Sequence, residues 1–433
     1  IDLGATKDVT TLDDLFNFGN DYLGLVKAGV IASGLIPSSF EGTHHSIAAV
    51  LGTVVAPGMG IELVTKVNDI PKGSRLAVST NLLASIVSVL MRATGQTASI
   101  EGGLTENERR LVASRAILGE WLGGSGGGWQ DSGGVWPGIK VIEGAPARED
   151  DPEFGISRGC LLPRHSVLGE NEMHPEIAER LAQSLVLVHG GMAQNVGPIL
   201  EMVTEKYLLR SGAEWRARQH MRTIFDGILT ALKKGDVRSL AQHTTQNFDG
   251  PLKTIVPWVT NHFTETMIAK SREALGDNFW GFQMLGGMSG GGMAMYVAPE
   301  VHGEFRNRAL DIMRTTKRSI EDALPFAMDP VVYDFRIDMR GTWATLHNGE
   351  DALMPSRYYA LQVPELVRQS PENLPYLRRA ELDHFTARGQ EHTETFGLLR
   401  TIVSNLFRVA NPASRAERIE WDREADSIKA NNG

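Results

Sequence analysis

The sequence predicts an α+β fold, on three observations. Capped amphipathic helices are mixed with short apolar runs; those runs come in hairpin-like pairs without regular βαβ alternation; and two long glycine loops, near 126 and 288, suggest a site built between two lobes. At 433 residues the chain exceeds what one core usually fills, so two domains plus an extension are expected, at 1–175, 176–345 and 346–433.

Composition narrows the function. Hydrophobic residues make up 42%, enough for buried cores, and the net charge of −9 argues against a general nucleic-acid or anionic-membrane surface. The single cysteine, Cys160, allows no internal disulfide and reads as a small buried hydrophobe in a reducing compartment. The run "IAAVLGTVVAPGMGIELV" is broken by Gly52, Thr53, Pro57 and Gly58 and is no membrane span. No secretory leader opens the chain, so a cytoplasmic protein is expected. Its first residues, "IDLGAT", read like the inside of a strand, and a fragment with an upstream start is expected.

The elements follow in order. "DYLGLVKAGVIASGLI" has helical spacing at Leu23, Val26, Val30 and Ile31. "FEGTHHSIAAVLGTVVAPG" is weaker and reads as a partly ordered loop, while "GIELVTKVNDIPKG" alternates like a half-buried strand stopped by Pro71. From Asn81, "NLLASIVSVLMRATG" repeats apolar pairs every four residues, a helix with Ser79 and Thr80 placed to cap it. In "TENERRLVASRAILGEWLGG", Thr105 and Glu108 make a capping box and Gly123-Gly124 a stop. "IKVIEG" predicts a strand, "APAREDDPEFG" a surface loop, and "LAQSLVLVHGG" the first strand of a new unit. Residues 195–245 read as mostly helical with a break at "KKGDVRS", followed by a helix at 260–274. "FWGFQMLGGMSGGGMAMYVAPE" is strand, glycine loop and strand, and "PVVYDFRIDMRGTWATL" a strand pair. Beyond 346 the chain turns charged and helical, with Phe396, Leu399, Val403, Leu406 and Phe407 on one face of 395–409.

Three loops carry the candidate chemistry. In "PKGSRLAVSTNLL" a glycine turn runs into a helix start, where unpaired backbone N–H groups and the helix dipole favour phosphate; Gly73, Ser74, Ser79 and Thr80 fit, although no Walker A ending is present. "GGSGGGWQDSGGVWPGIK" surrounds Trp129, Gln130 and Asp131 with glycines that allow a ligand to approach the backbone. "GGMSGGGM" at 286–293 holds more glycine than a hairpin needs. Ser125 and Ser289 both match G-x-S-x-G, but one follows a helix and the other lies between strands, and a nucleophile elbow needs a strand before and a helix after it. The twelve histidines are scattered and no cysteine or histidine cluster supports zinc.

Taken in this order, "LVKAGVIASGLI", "GIELVTKVNDIPKGS", "GGGWQDSGGVWPGIKV" and "GFQMLGGMSGGGMAMYV" resemble the GHMP kinases, most closely their L-fucokinase branch, over most of residues 20–300. The resemblance implies a two-lobed kinase, with an N-terminal lobe like domain 2 of ribosomal protein S5, a ferredoxin-like C-terminal lobe and, here, a helical extension. It implies ATP and Mg²⁺, a sugar substrate phosphorylated at the anomeric hydroxyl (L-fucose-like or heptose-like), and either a second copy of the chain or a fused nucleotidyltransferase domain as partner. It makes Asp131 the catalytic base, Gly127, Gly128, Trp129 and Gln130 substrate contacts, and Glu120, eleven residues before the aspartate, a metal ligand with Ser79 or Thr80. Nucleotide contacts fall on Gly73, Ser74, Arg75, Ser79, Thr80, Gly286, Gly287, Gly290 and Gly291.

The sequence also departs from that pattern. The family phosphate loop G-S-G-L-G-T-S-S stands here as "GSRLAVST", with Arg75 and Ala77 in place of glycines and Val78 in place of a hydroxyl residue. No sugar-binding P-G-R-x-D stretch is present, and "VHGGMAQN" lacks the T-G-x-T-R expected near it. These departures set an alternative beside the kinase: a degenerate binding or structural module of a larger enzyme.

Overall fold

The computed structural model describes residues 6–19, 22–67, 70, 76–124, 129–144, 162–192, 197–256, 258–285, 291–320, 328–348, 354, 356–366, 368–376 and 378–383. Outside them lie Gly73, Ser74, Arg75, Ser125, Gly127, Gly128, Cys160, Gly286, Gly287, Ser289, Gly290, the polar stretch after Gly144 and the 395–409 segment. The chain divides into two compact units, one of residues 15–43 and 67–343, the other of 1–14, 44–66 and 344–433.

In the larger unit a helical core comes first. Helices α1 (Gly24–Ala32), α2 (Val78–Ala93) and α3 (Glu106–Leu122) pack on one another. Leu83, Val87 and Met91 on α2 and Val112, Ala113, Ala116 and Ile117 on α3 are all at least 98% buried, so the four-residue repeat of α2 is its core stripe. Each buried Leu, Val, Ile or Met among them stabilises the core by roughly 1.5–3 kcal/mol. The Thr105–Glu108 capping box forms as expected: Thr105 Oγ1 accepts from Glu108 N, and Glu108 Oε2 accepts from Thr105 N at 2.7 Å. Helix α2 starts earlier than its apolar repeat implies, at Val78, so Ser79 and Thr80 lie in its first turn and cap nothing. The capping position is Ala77, in the left-handed conformation with φ 54°.

After α3 a 3-10 helix covers Trp129–Val135, and β1 (Lys140–Glu143) pairs antiparallel with β2 (Arg164–Val167). Helix α4 (Ile177–Ser184) then takes the "LAQS" that the sequence reading gave to a strand; the strand itself, β3 (Leu185–His189), begins one residue later. Helices α5 (Gly197–Leu208), α6 (Gly212–Lys234) and α7 (Val237–Asn247) follow. The expected break between the last two is made by Gly235 at φ 70°. Helix α8 (His262–Leu275), capped by Asn261, leads into β4 (Phe279–Met284) and β5 (Met293–Val297). Helix α9 (Pro299–Ser319), absent from the sequence reading, precedes β6 (Val331–Tyr333).

These strands make one antiparallel sheet in the order β4-β5-β3-β6. Both strands expected in "PVVYDFRIDMRGTWATL" form, as β6 and at Trp343–Ala344, but they do not pair with each other: β6 pairs with β3, Leu187 facing Tyr333 and His189 facing Val331. Both faces of the sheet are buried, which is why its strands read as unbroken apolar runs. Val186, Val188, Met293, Met295 and Val297 meet Phe263 and Met267 of α8 and Phe305 and Met313 of α9. The alternate residues Leu185, Ala294 and Tyr296 meet Ile177 and Leu181 of α4 and Val237, Leu240 and Ala241 of α7.

The smaller unit has its own ties. Its helix Ile47–Val54, where the sequence reads as a loop, is capped by Ser46, whose hydroxyl accepts from Ala49 N at 3.1 Å. Residues 60–67, part of the stretch 60–73 expected as a strand, are assigned no strand among the described residues. Glu62 accepts from the Tyr358 hydroxyl at 2.8 Å, and Arg378 bridges Glu62 at 2.8 Å and Glu381 at 2.9 Å. Among the described residues no helix is long and apolar enough to cross a membrane.

Candidate active site

Three segments of the larger unit converge. Thr80 faces inward from the first turn of α2 and Glu120 from the last turn of α3, and each is 99% buried. The Thr80 hydroxyl donates to Glu120 Oε1 at 2.8 Å, across 40 residues of sequence. Asp131, half-buried on the 3-10 helix, is near enough to Glu120 to feel its charge. Burial first, and the Glu120 carboxylate second, push the Asp131 carboxyl above the usual aspartate value. Ser79, next to Thr80, is exposed and makes no such contact, so of the two hydroxyls offered by sequence it is Thr80 that meets Glu120.

The 3-10 helix is held from several sides. Lys140 Nζ donates to the carbonyls of Gly133 in that turn at 2.8 Å and Trp136 just after it at 2.7 Å. Burial lowers the lysine's pKa, while Asp338 opposes the shift. Trp136 is 98% buried; its indole Nε1 donates to Glu106 Oε2 at 2.8 Å and its ring stacks on His165 at 3.7 Å and 3°. His165 Nε2 lies 3.3 Å from the Ser132 hydroxyl, one residue from Asp131, and burial leads the lowering of the imidazole pKa. A strap at 338–342 closes the far side: Gly138 N donates to Asp338 O at 2.7 Å and Thr342 N to Val135 O at 3.2 Å.

Gly134 explains part of the glycine run. A Cβ there would collide with the Asn81 side chain, whose Nδ2 donates to Ala77 O at 2.8 Å. The glycine therefore lets the 3-10 helix lie against the start of α2. Asn81, Ser132, Trp136, Lys140 and His165 were not singled out by sequence, since none carries a motif of its own. Ser132, Trp136 and Lys140 had the signal of their place in "WQDSGGVWPGIK"; Asn81 and His165 had none.

Gln130 is exposed. Gly291, at φ 81°, accepts from Gly190 N at 3.1 Å, and a Cβ on it would press on the Gly190 backbone; it ties the glycine loop to the end of β3. Among the described residues no group of three or more His, Cys, Asp or Glu could hold a metal. A Mg²⁺ ion bound partly by phosphates needs only one or two protein oxygens, and Glu120 with Thr80 fits that set. Two carboxylates in one another's field, one of them buried, also leave negative charge that a divalent cation would offset.

No family model matches the chain. It is 25% identical over 288 residues to the bifunctional fucokinase/GDP-fucose pyrophosphorylase of Arabidopsis thaliana, covering 65% of this chain and 22% of that protein. It is 26% identical over 242 residues to the L-fucokinase/L-fucose-1-P guanylyltransferase of Bacteroides fragilis, covering 54% and 22%. Over these stretches the chain is similar to two bifunctional proteins that each include a fucokinase. The chain spans about a fifth of the length of the curated proteins it matches. Galactokinase of Lactococcus lactis complexed with galactose aligns with 80% of the chain, at 79% of its own length, 11% identity and a TM-score of 0.42.

Proposed function

We propose that the chain is an ATP-dependent sugar kinase that phosphorylates the anomeric hydroxyl of an L-fucose-like or heptose-like sugar. The observation that carries this reading is the meeting of Asp131, Glu120 and Thr80 from three separate segments. Asp131 is the base. An environment that raises a carboxyl's proton affinity makes its ionised form a stronger acceptor, provided the substrate hydroxyl comes within hydrogen-bond reach. As the sugar oxygen forms its bond to the γ-phosphorus, its proton passes to Asp131, the bond to the β–γ bridging oxygen breaks and ADP leaves. Lys140 and the Trp136–His165 stack keep the carboxylate's turn in place. Glu120 and the Thr80 hydroxyl would hold Mg²⁺, which when bound supplies positive charge to the nucleotide phosphates.

The left-handed turn at Ala77 supports the active reading over a degenerate module. An alanine there is held at about 1 kcal/mol of strain, a cost that an idle loop would be free to relax. Transfer of labelled γ-phosphate from ATP to a panel of reducing sugars tests the proposal. Transfer to a fucose- or heptose-like sugar that Asp131→Asn reduces by about 10²–10⁴-fold is expected. Undiminished transfer by that variant would remove Asp131 from its role. Saturable Mg-ATP binding without turnover would favour the degenerate module.

A further inference from the structure

A second cleft, of about 350 Å³, lies at the other end of the sheet from Gly291. It is walled by Arg180, Gln183 and Ser184 at the end of α4, Lys234 to Arg238 between α6 and α7, Trp280 on β4 and Pro299 at the start of α9. Trp280 is the second residue of β4, and the glycine loop leaves from that strand's far end, about 15–20 Å away at strand rise. The two places are therefore separate.

The lining is basic in an acidic chain. Arg180, Lys234 and Arg238 stand against one carboxylate, Asp236, which already accepts from Ser239 N at 2.9 Å. Arg180 spends its hydrogen bonds on Gly235 O and on Glu176 Oε2. Lys234 and Arg238 form no ion pair or hydrogen bond with any described residue, and Gln183 bonds only Glu179. Ser184 is 99% buried, lines the cleft and has no side-chain partner among the described residues. Half-buried Trp280 adds an aromatic surface beside the cations, and the volume is at the small end for ligand sites.

We propose that this cleft binds a phosphate monoester carrying a ring. Lys234 and Arg238 neutralise the phosphate, Ser184 donates to it, and the ring packs on Trp280. The site is independent of the kinase reading, since it shares no residue with the Thr80–Glu120–Asp131 cluster.

The test is calorimetry on the full chain carrying Asp131→Asn and Glu120→Gln, with hexose 1-phosphate, a nucleoside monophosphate and inorganic phosphate as separate titrants. At least one ring-bearing phosphate is expected to bind saturably and more tightly than inorganic phosphate, and the tighter of the two identifies the source. Lys234→Glu/Arg238→Glu, both exposed positions, is expected to weaken that binding by at least tenfold, and Trp280→Ala to erase the advantage over inorganic phosphate. Unchanged affinity in the charge-reversed variant, or no saturable binding by either ring phosphate, would overturn the proposal. Circular dichroism of each variant separates loss of the site from loss of fold.

Discussion

At Asp131 position and energy oppose one another. Its folded-state pKa is raised above the unfolded value, so the stabilisation it offers is complete below about 3.8 and is lost as pH rises through the folded pKa; at neutral pH the ionised group opposes folding. Asp131→Asn is therefore expected to unfold at a higher temperature than the parent at pH 7 and to lose that advantage near pH 3.5, as thermal denaturation at the two pH values would record. The same shift sets the acid limb of kcat/KM: activity should fall as pH drops, with a midpoint above the ordinary aspartate value. Ala77 offers the reverse case, strain that glycine removes. Ala77→Gly relieves a left-handed alanine and should leave stability unchanged or raise it by up to about 1 kcal/mol in urea denaturation, the chain entropy of glycine offsetting part of the gain. The sequence marked residue 77 only as a departure from glycine. Its φ is what shows the turn to be kept without one.

Among the elements, the 3-10 helix at Trp129–Val135 depends on its neighbours. A seven-residue turn of this kind has few hydrogen bonds of its own, and Lys140, from the following strand, donates to its Gly133 carbonyl and to that of Trp136 just after it. Lys140→Met should cost about 1–3 kcal/mol and lower kcat more than it raises KM, with Lys140→Arg recovering part of both; denaturation and steady-state kinetics check the two effects. Loss of stability with kcat intact would leave the lysine a structural role alone. Periodicity made α2, α3 and α8 legible because each buries one stripe. It placed the start of α2 three residues late, since Val78, Ser79 and Thr80 precede the apolar repeat and the turn is held by Asn81 and Gly134. Residues 60–67 alternate like a strand yet are assigned none among the described residues, because alternation describes which side chains share a face and not how the backbone pairs.

For the whole molecule, contacts distant in sequence decide how the segments group. In the smaller unit, Arg378 and Tyr358 reach Glu62 across about 300 residues, and Arg378→Met would leave the Glu62 and Glu381 carboxylates facing each other without their cation. A loss of about 2 kcal/mol is expected, read as a lower thermal midpoint or as earlier proteolysis near 350. No periodicity or motif announces that pairing, because Glu62 and Arg378 each look like an ordinary surface charge. By itself the sequence determined the α+β class and the principal helices, which follow from local pattern, while its resemblance to a known kinase family implied Asp131, Glu120 and a hydroxyl at 79 or 80 as candidates. The tertiary structure decided which hydroxyl meets Glu120, that β6 pairs with β3, and what holds the Asp131 turn. A side chain's partner depends on which surfaces fold together, and that is a property of the packed chain rather than of any stretch of it.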